Sequence, residues 1–320
     1  MSRPYTDAIV DPDIRIGVVG ATGAVGRVTL EYLARRGHGN VRAFASSRSV
    51  GTSVGGHEVE EATVDALGAG DLDVCLFSVG TALSRDLVPV AAAAGSLCVD
   101  KSSAFRLTDG IPLVVPEVNG RRALEHDGIV ANPNCCTIPL TMTLAPLHEA
   151  AGIRSVRVAT YQSVSGAGTN AIDALRGEEP DDHRLGMDWD FDGSEFDEEV
   201  KLREETRKIL ELPELPVSAS CVRVPVVIGH AEAVWVETES PLSPEQAERI
   251  LGSAPGLRLE ELPAHDAAIG TDDVVVGRVR ADRASENGLA LFLVCDNLRK
   301  GAALNAIQIA ELAVGARVAS

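Results

Sequence analysis

Two adjacent thiols are the residues of this chain best placed for covalent chemistry. Cys135 and Cys136 follow an Asn-Pro-Asn turn and precede residues 139–151, which are predicted to form a helix. Near the start of a helix, unpaired N–H groups and the positive end of the dipole favour a thiolate, which is a nucleophile near neutral pH. Because buried, inert cysteine is common, the motif alone leaves a packing role open.

The other cysteines show neither a CxxC pair nor a metal-like spacing with histidine, so no metal site is predicted. Cys75, Cys98 and Cys295 lie in apolar, strand-like runs and are expected in the core. Residues 1–12 are polar and lack the core of a signal peptide. A reducing cytoplasm is therefore the expected location, and disulfides are not expected.

A glycine-rich segment near the N-terminus predicts a dinucleotide site. It follows an apolar run at 14–20 and precedes a helix predicted at 27–36. Glycines permit a tight turn and close backbone approach, and the helix N-terminus binds the pyrophosphate. The alternative is a purely structural strand-to-helix turn. The predicted contacts are Gly20, Thr22, Gly23, Ala24, Val25 and Gly26.

The end of the second predicted strand, at 41–46, indicates which dinucleotide binds. A carboxylate there would bind the ribose 2′-OH of NAD, but the strand is followed by Ser47, Arg48 and Ser49. An arginine with hydroxyl groups suits the 2′-phosphate of NADP, so NADP is predicted rather than NAD. An exposed arginine without a role is the other interpretation.

The elements that must position these motifs alternate along the first half of the chain. Apolar runs at 14–20, 41–46, 74–79, 97–99 and 129–131 alternate with helical stretches such as 85–94. This alternation is typical of an α/β fold with a doubly wound parallel sheet of the Rossmann type.

A second lobe follows residue 134. Its strand candidates often alternate apolar and polar residues, which predicts a sheet with one covered face. Residues 178–199 carry 11 acidic residues in 22 and are predicted to form an exposed loop or a loosely ordered insertion. The final residues, 302–318, are predicted to form an amphipathic helix. The strand candidates are 155–162, 219–227, 233–238, 274–281 and 289–295.

Composition limits the partners. The net charge of −18 argues against nucleic acid. No apolar run approaches the ~18–20 residues that span a bilayer, so no membrane contact is expected. With 24% charged and 45% hydrophobic residues, the 320-residue chain is predicted to be globular and to form two domains.

Seven segments in one order resemble the aspartate-semialdehyde dehydrogenase family, over about residues 14 to 313. They are GATGAVG (20–26), ASSRS (45–49), KSSAFR (101–106), NPNCCTI (132–138), YQSVSGAG (161–168), RVPVVIGH (223–230) and DNLRKGAA (296–303). The resemblance implies an NADP-binding domain of residues 1–134 with 302–320, to which the C-terminal helix returns. It also implies an α+β catalytic and dimerisation domain of residues 135–301, and a homodimer or a dimer of dimers.

The implied reaction is NADPH-dependent reduction of L-β-aspartyl phosphate to L-aspartate 4-semialdehyde with release of phosphate. Cys135 would attack the acyl phosphate and form a thioester. His230 would act as general base and acid, and Gln162 would orient the substrate. Backbone N–H groups at the helix start would hold the oxyanion.

The resemblance also implies binding residues. Arg223 would bind the substrate carboxylate with its planar fork, and Glu198 would pair with the ammonium group. The remaining implied residues are Arg106, Lys201 and Asn134 for substrate and phosphate, and Ser165, Gly166 and Asn297 for the nicotinamide.

Several alternatives stay open. His230 could be a core histidine, Arg223 a surface strand residue, and Glu198 with Lys201 a solvated helix face. Cys136, in a position where the family often has Ser or Thr, is expected to point away from the reaction. Lys101, in place of a residue that is often Asn, and the acidic segment favour a second hypothesis, a paralogue that reduces another acyl phosphate or an acyl-CoA. A non-catalytic NADP-binding homologue is the third.

Overall fold

The computed structural model describes residues 13–177 and 189–319. The strands are β1 Ile16–Val19, β2 Val41–Ala45, β3 Ser53–Val54, β4 His57–Glu61, β5 Val74–Phe77, β6 Leu97–Asp100, β7 Ile129–Ala131, β8 Ile153–Gln162, β9 Val217–Arg223, β10 His230–Thr238, β11 Leu257–Leu259, β12 Val274–Ala281 and β13 Gly288–Cys295. The helices are α1 Ala24–Arg35, α2 Val64–Leu67, α3 Thr81–Ala93, α4 Pro116–Asn119, α5 Thr137–Ala151, α6 Thr169–Arg176, α7 Asp197–Leu210, α8 Pro244–Ser253 and α9 Leu304–Ala319.

The chain divides into two compact units. One ends at Pro133 and resumes at Ala302, and the other runs from Asn134 to Gly301. The first unit contains a seven-stranded sheet in the order β3-β4-β2-β1-β5-β6-β7. All its neighbouring strands are parallel except β3 and β4.

Both faces of this first sheet are covered. Val18 and Leu76 belong to an apolar cluster with residues of α1 and α9, whereas Val19 and Phe77 belong to a second cluster with residues of α2 and α3. Successive side chains of a strand point to opposite faces, so the central strands need apolar residues at every position. This explains their uninterrupted apolar runs and confirms the predicted doubly wound fold class.

The second unit contains a mixed six-stranded sheet in the order β11-β12-β13-β10-β8-β9. Strands β8 and β9 are parallel, and β10 is antiparallel to both β8 and β13. The carboxyl ends of β8, β9 and β13 therefore lie at the same edge of the sheet as the amino end of β10. Helix α5 packs against β8, β10 and β13.

Among the strand boundaries of the second unit that differ from their predictions, two bear on the candidate site. Strand β9 ends at Arg223 instead of at residue 227, because Pro225 has no N–H to donate to a neighbouring strand. Strand β10 begins at His230 instead of at residue 233. Arg223 and His230 thus flank a short connection, each at the end of its own strand.

The C-terminal helix differs from its prediction in character. It was predicted to be amphipathic, but every residue from Ala302 to Ala310 is buried. Helix α9 packs against β5 and β6 of the first sheet. Most of its buried side chains are apolar or small, as an interior position requires, and the buried amides of Asn305 and Gln308 donate hydrogen bonds to Val114 O and to Glu117 Oε1.

The acidic segment also differs from its prediction in the part that the structure describes. Residues 178–188 lie outside that part. Its last three residues form the first turn of α7, where carboxylates stabilise the positive helix end. Residues 189–196 form a short hairpin in which Phe191 and Phe196 pair as an isolated bridge. Among the described helices, none has the length and apolarity that crossing a bilayer requires.

Candidate active site

The sheet edge of the second unit brings Cys135 and His230 into contact. His230 begins β10 and is fully buried, and its Nε2 lies 3.2 Å from the Sγ of Cys135. Cys135 is partly exposed and lies two residues before α5 begins at Thr137. A thiol in hydrogen-bonding contact with an imidazole and open to solvent is the arrangement of an activated nucleophile.

The neighbouring thiol is in a different environment. Cys136 is buried, and burial, followed by the proximity of Cys135, raises the pKa of its thiol well above the ordinary value. Donor atoms of Cys135, Cys136 and His230 lie within 4.8 Å of one another.

The second ring nitrogen of His230 determines where its proton resides. The backbone N–H of Ser163 donates to Nδ1 over 3.1 Å. A backbone N–H can only donate, so Nδ1 is the unprotonated acceptor and Nε2 carries the proton of the neutral ring. That N–H points at Cys135, where it stabilises a thiolate. Nε2 could accept the thiol proton only in the other tautomer, which carries its proton on Nδ1. In that tautomer the N–H of Ser163 would lose its acceptor.

Asn297 organises the support behind His230. Its Oδ1 accepts hydrogen bonds from Gly229 N at 2.9 Å and from Ser163 Oγ at 3.1 Å, and its Nδ2 donates to Ser165 Oγ at 2.9 Å. The side chains of Ser165 and Asn297 are therefore buried in this network. Their predicted contact with a nicotinamide stays a prediction.

Gln162, Glu198 and Asn134 form a second network beside the thiol. Glu198 Oε1 accepts from Asn134 Nδ2 at 2.8 Å and from Gln162 Nε2 at 2.9 Å. Thr160 Oγ1 donates to Gln162 Oε1 at 3.0 Å, which orients the amide. Glu198 is only 6% exposed, so the alternative of a solvated helix face is wrong for it. Lys201, which is partly exposed, pairs with Asp197 at 2.6 Å and with Glu198 at 3.4 Å.

Glu205 is a site residue that sequence reasoning missed. Its Oε2 accepts the backbone N–H of Asn134 at 2.6 Å, and its side chain is buried. It lies seven residues after Glu198 on α7, which places the two carboxylates on one helix face, and this spacing was the available signal. The N–H of Cys136 and of Ile138 also donate to Asn134. Because these two N–H groups already have an acceptor, fewer N–H groups at the start of α5 remain for the predicted binding of an oxyanion.

Arg223 is buried beside His230, so the alternative of a surface strand residue is wrong. It is 8% exposed, and its Nη1 donates to the carbonyl oxygen of Ser163 at 2.8 Å. A Cβ added to Gly166 would lie 3.2 Å from Arg223 Nη1 and 3.3 Å from His230 Nε2. Glycine at this position therefore keeps the space in front of both groups open.

Glu232 is a second residue that sequence reasoning missed, although alternation along β10 places it on the same face as His230. It is fully buried, and neither carboxyl oxygen has a hydrogen-bond partner among the described residues. Burial, followed by the charge of Cys135, raises the pKa of Glu232 well above the ordinary value. Burial therefore favours the neutral carboxyl over the carboxylate.

In the first unit, the predicted dinucleotide loop between β1 and α1 contains three glycines with different surroundings. Gly20 has φ +86°, and a Cβ there would lie 2.3 Å from Ser78 O, while a Cβ on Gly26 would lie 2.2 Å from Gly20 O. Both positions therefore require glycine, because a Cβ would clash with a neighbouring backbone oxygen. Gly23 is the N-cap of α1, and a Cβ there would meet only Gly20 O, at 3.4 Å. The fold itself leaves room at Gly23, on the side from which a phosphate approaches the helix.

The turn after β2 lies at the same sheet edge as this loop, since β1 and β2 are parallel neighbours and Gly20 N donates to Phe44 O. Residues Ser47–Ser49 form a 3-10 turn in which Arg48 is exposed. Arg106 of the same unit is buried, and its guanidinium donates to the backbone carbonyls of Asn132, at 3.0 Å, and of Lys101.

Comparison with known proteins defines the class. The family model described as semialdehyde dehydrogenase, NAD binding domain, matches residues 15–126. The model described as semialdehyde dehydrogenase, dimerisation domain, matches residues 144–190 and 188–300. The chain is therefore an oxidoreductase that uses a nicotinamide dinucleotide.

Individual relatives narrow the class to one family. An aspartate-semialdehyde dehydrogenase of Streptomyces akiyoshiensis is 44% identical, over 93% of this chain and 98% of its own. The solved aspartate semialdehyde dehydrogenase II of Vibrio cholerae, complexed with ASA, is 40% identical with a TM-score of 0.89, over 94% of this chain and 98% of its own. An enzyme of the same name from Candida albicans, solved with NADP, is 25% identical with a TM-score of 0.77, over 95% and 99%. The chain belongs to the aspartate-semialdehyde dehydrogenase family.

The open space at Gly23 gives a first prediction. Gly23→Ala is expected to raise the KM for the dinucleotide roughly tenfold to a hundredfold, because the methyl group occupies the path of the pyrophosphate. Stability should fall by at most about 1 kcal/mol, the loss expected for alanine at an N-cap. Initial rates and thermal unfolding measure the two effects. Gly39→Ala is the control, because nothing lies within 4 Å of its Cβ position. Equal KM values for both variants would contradict the prediction.

The raised pKa of Glu232 gives a second prediction. Its raised pKa means that the folded chain retains a proton that the unfolded chain loses above about pH 4.5. The protonated carboxyl therefore makes its full contribution to the free energy of unfolding below that pH. This contribution is lost as pH rises through the folded pKa, by up to about 1.4 kcal/mol per pH unit. Glu232→Gln should therefore match the parent chain in urea unfolding at pH 4.5 and exceed it at pH 8. Exposed Glu214→Gln should show no such divergence, and a parent chain as stable as Glu232→Gln at pH 8 would refute the assignment.

Proposed function

We propose that this chain reduces L-β-aspartyl phosphate to L-aspartate 4-semialdehyde with NADPH, releasing phosphate, and catalyses the reverse oxidation. The observation that carries the proposal is the 3.2 Å contact between Cys135 Sγ and His230 Nε2 in a chain of this family. Gln162 and Arg223 stand at the ends of the neighbouring strands β8 and β9, so the groups that a small acyl substrate requires share one sheet edge.

Cys135 is the proposed nucleophile. Its sulfur attacks the acyl carbon, the bond from that carbon to the phosphate oxygen breaks, phosphate leaves, and a thioester to Cys135 remains. The bound nicotinamide cofactor supplies the hydride that reduces the thioester carbonyl. The tetrahedral carbon on Cys135 then expels the sulfur as a thiolate, and the aldehyde is released.

His230 acts in this scheme as a hydrogen-bond donor. Its Nε2–H stabilises the thiolate of Cys135 before attack and again when the sulfur leaves. A thiolate that is consumed and regenerated needs no base within the cycle, which agrees with the acceptor position of Nδ1 opposite Ser163 N. The role of general base and acid predicted for His230 would require the tautomer with an unprotonated Nε2, and this scheme does not use it. The thiol of Cys135, which is partly exposed, first loses its proton to solvent.

The charged groups of the substrate have proposed partners. Arg223 binds the α-carboxylate, and Glu198 pairs with the ammonium group while Asn134 and Gln162 hold its other oxygen. The amide of Gln162 orients the acyl group. Arg106 and Lys201 are the residues proposed to bind the phosphoryl group.

NADP is the proposed cofactor. The turn Ser47–Ser49 has no carboxylate to bind a ribose 2′-OH, and it carries an exposed arginine at the sheet edge of the glycine loop. Ser165, Gly166 and Asn297 are the proposed neighbours of the nicotinamide. The proposed assembly is a homodimer, in keeping with the dimerisation domain of the family.

A paralogue that reduces another acyl phosphate or an acyl-CoA is the second candidate. Lys101, where the family often has Asn, favours it, because it adds a cation near Arg106. Phosphate-dependent NADP reduction with the semialdehydes of aspartate, succinate, malonate and N-acetylglutamate separates the candidates. Preference for aspartate semialdehyde supports the first proposal, and turnover without phosphate would overturn it.

The two adjacent thiols give a third prediction. Cys135→Ala should lower kcat by roughly a thousandfold or more, since no other group forms the thioester. Cys136→Ser, the matched control, should retain at least about a tenth of the activity, because that thiol is buried and protonated. Phosphate-dependent NADP reduction with aspartate semialdehyde measures both. Normal turnover by Cys135→Ala would exclude the mechanism.

Arg48 gives a fourth. Arg48→Ala should raise the KM for NADP roughly tenfold to a hundredfold through loss of a charge-assisted bond to the 2′-phosphate, and should leave the KM for NAD unchanged. Exposed Arg121 of the same unit provides the control, Arg121→Ala. Equal effects of Arg48→Ala on NADP and NAD would argue against a role in specificity.

A further inference from the structure

An aromatic ring covers the guanidinium of Arg223. The Cζ of Arg223 lies 4.8 Å from the centroid of the Trp189 ring. An indole face attracts a cation most strongly when the cation is removed from water, and Arg223 is 8% exposed. Stacking uses the face of the guanidinium and leaves its in-plane N–H donors to make hydrogen bonds.

The contacts of Arg223 restrict the guanidinium in two directions. The Trp189 ring limits movement of the guanidinium toward the indole, and the bond from Nη1 to Ser163 O at 2.8 Å limits its rotation. Gly166 packs closely enough that a Cβ there would lie 3.2 Å from the same Nη1. The direction of the fork is thus set before a carboxylate arrives, which reduces the ordering cost of binding.

The hairpin at 189–196 places this ring. The Phe196 ring lies 6.3 Å from that of Trp189 and 5.1 Å from that of Phe191. Asp192 Oδ1 closes the turn by accepting from Ser194 N and Glu195 N, at 2.8 and 2.9 Å. The hairpin continues directly into α7, which carries Glu198. One segment therefore positions both the ring over Arg223 and the carboxylate proposed for the ammonium group.

Packing alone does not account for these aromatic residues. The hairpin holds three of the 11 aromatic residues of the chain within eight positions. Phe191 is 57% exposed, and Trp189 and Phe196 are only partly buried. The segment therefore buries little apolar surface, and its contact with a buried cation is the feature that distinguishes Trp189 within it.

We propose that Trp189 is a positioning residue that aims the Arg223 fork and thereby selects acyl substrates that carry a carboxylate. The inference rests on the proposed function, in which Arg223 binds the carboxylate of the substrate. A substrate with that carboxylate gains from the stacked arginine, and one without it does not.

Steady-state kinetics provides the first test. Trp189→Ala should raise the KM for aspartate semialdehyde about tenfold, the upper part of the cation–π range, while kcat changes less than about threefold. Trp189→Phe retains an aromatic face and should stay within about threefold of the parent KM. Trp235→Phe, which alters the other tryptophan, is the matched control. Equal KM values for Trp189→Ala and the parent chain would overturn the proposal.

Two competing ligands test which group of the substrate is recognised. Succinate semialdehyde keeps the carboxylate and lacks the amine, whereas 3-aminopropanal keeps the amine and lacks the carboxylate. Trp189→Ala should weaken inhibition by succinate semialdehyde by the same factor as the KM and leave that by 3-aminopropanal unchanged. Equal weakening for both would indicate a general collapse of the pocket and would refute selection of a carboxylate.

Fluorescence tests the contact without turnover. The chain has two tryptophans, so in Trp235→Phe the emission comes from Trp189 alone. Titration with succinate should change that emission, and Arg223→Met added to Trp235→Phe should abolish the change. No change in Trp235→Phe would overturn the role of Trp189. If the parent chain shows no phosphate-dependent turnover but the emission still responds, the proposed function fails and the carboxylate clamp stands.

Discussion

The hydrogen bond from the Ser163 N–H to His230 Nδ1 is the constraint on which the active site depends. It leaves the ring one place for its proton, Nε2, and so makes the imidazole a donor toward Cys135. Asn297 holds Ser163 and the N–H of Gly229 together, which fixes the ring from behind. The chemistry then requires a thiolate that is stabilised twice per cycle, and a proton that stays on the ring throughout suits it.

Three buried glutamates lie near Cys135 and His230. Two of them accept hydrogen bonds from Asn134, whereas the third, Glu232, does not. Glu198 and Glu205 accept hydrogen bonds from the side chain and the backbone of Asn134, so their burial is compensated. Neither carboxyl oxygen of Glu232 has a partner in hydrogen-bonding geometry among the described residues, and burial favours its protonated form even though the nearby Cys136 thiol acts in the opposite direction on its pKa. A second negative charge beneath Cys135 would oppose ionisation of the thiol. The raised pKa of Glu232 therefore reduces that repulsion, at the expense of stability as pH rises.

Two departures from the family pattern, Cys136 and the acidic segment, lie near reactive groups of the second unit. They change the environment of those groups and leave the groups themselves in place. Cys136 is buried and burial raises the pKa of its thiol, so Cys135 is the partly exposed member of the pair. The acidic segment supplies an aromatic hairpin that reaches Arg223 through Trp189. A loop that varies in sequence can alter substrate choice in this way while strands β8, β9 and β10 keep the reactive groups in place.

The sequence by itself determined the elements whose signals are local. The apolar runs of the first sheet, the glycine loop and the missing carboxylate after β2 are readable because neighbouring residues alone decide them. Periodicity also carried unused signals, such as the spacing of Glu205 from Glu198 on one helix face. Resemblance to a family brought the distant motifs together, but it did not state their contacts.

Only the tertiary structure decided how these residues meet. Strand register places Gln162, Arg223 and His230 at one edge, although 68 positions separate the first from the last, and no local pattern encodes that pairing. Burial likewise converted Glu198 from a candidate surface residue into a hydrogen-bond acceptor. The tautomer of His230 and the protonation of Glu232 depend on partners supplied, or withheld, by other elements. Such properties follow from desolvation and contact in three dimensions, which composition and spacing along the chain do not contain.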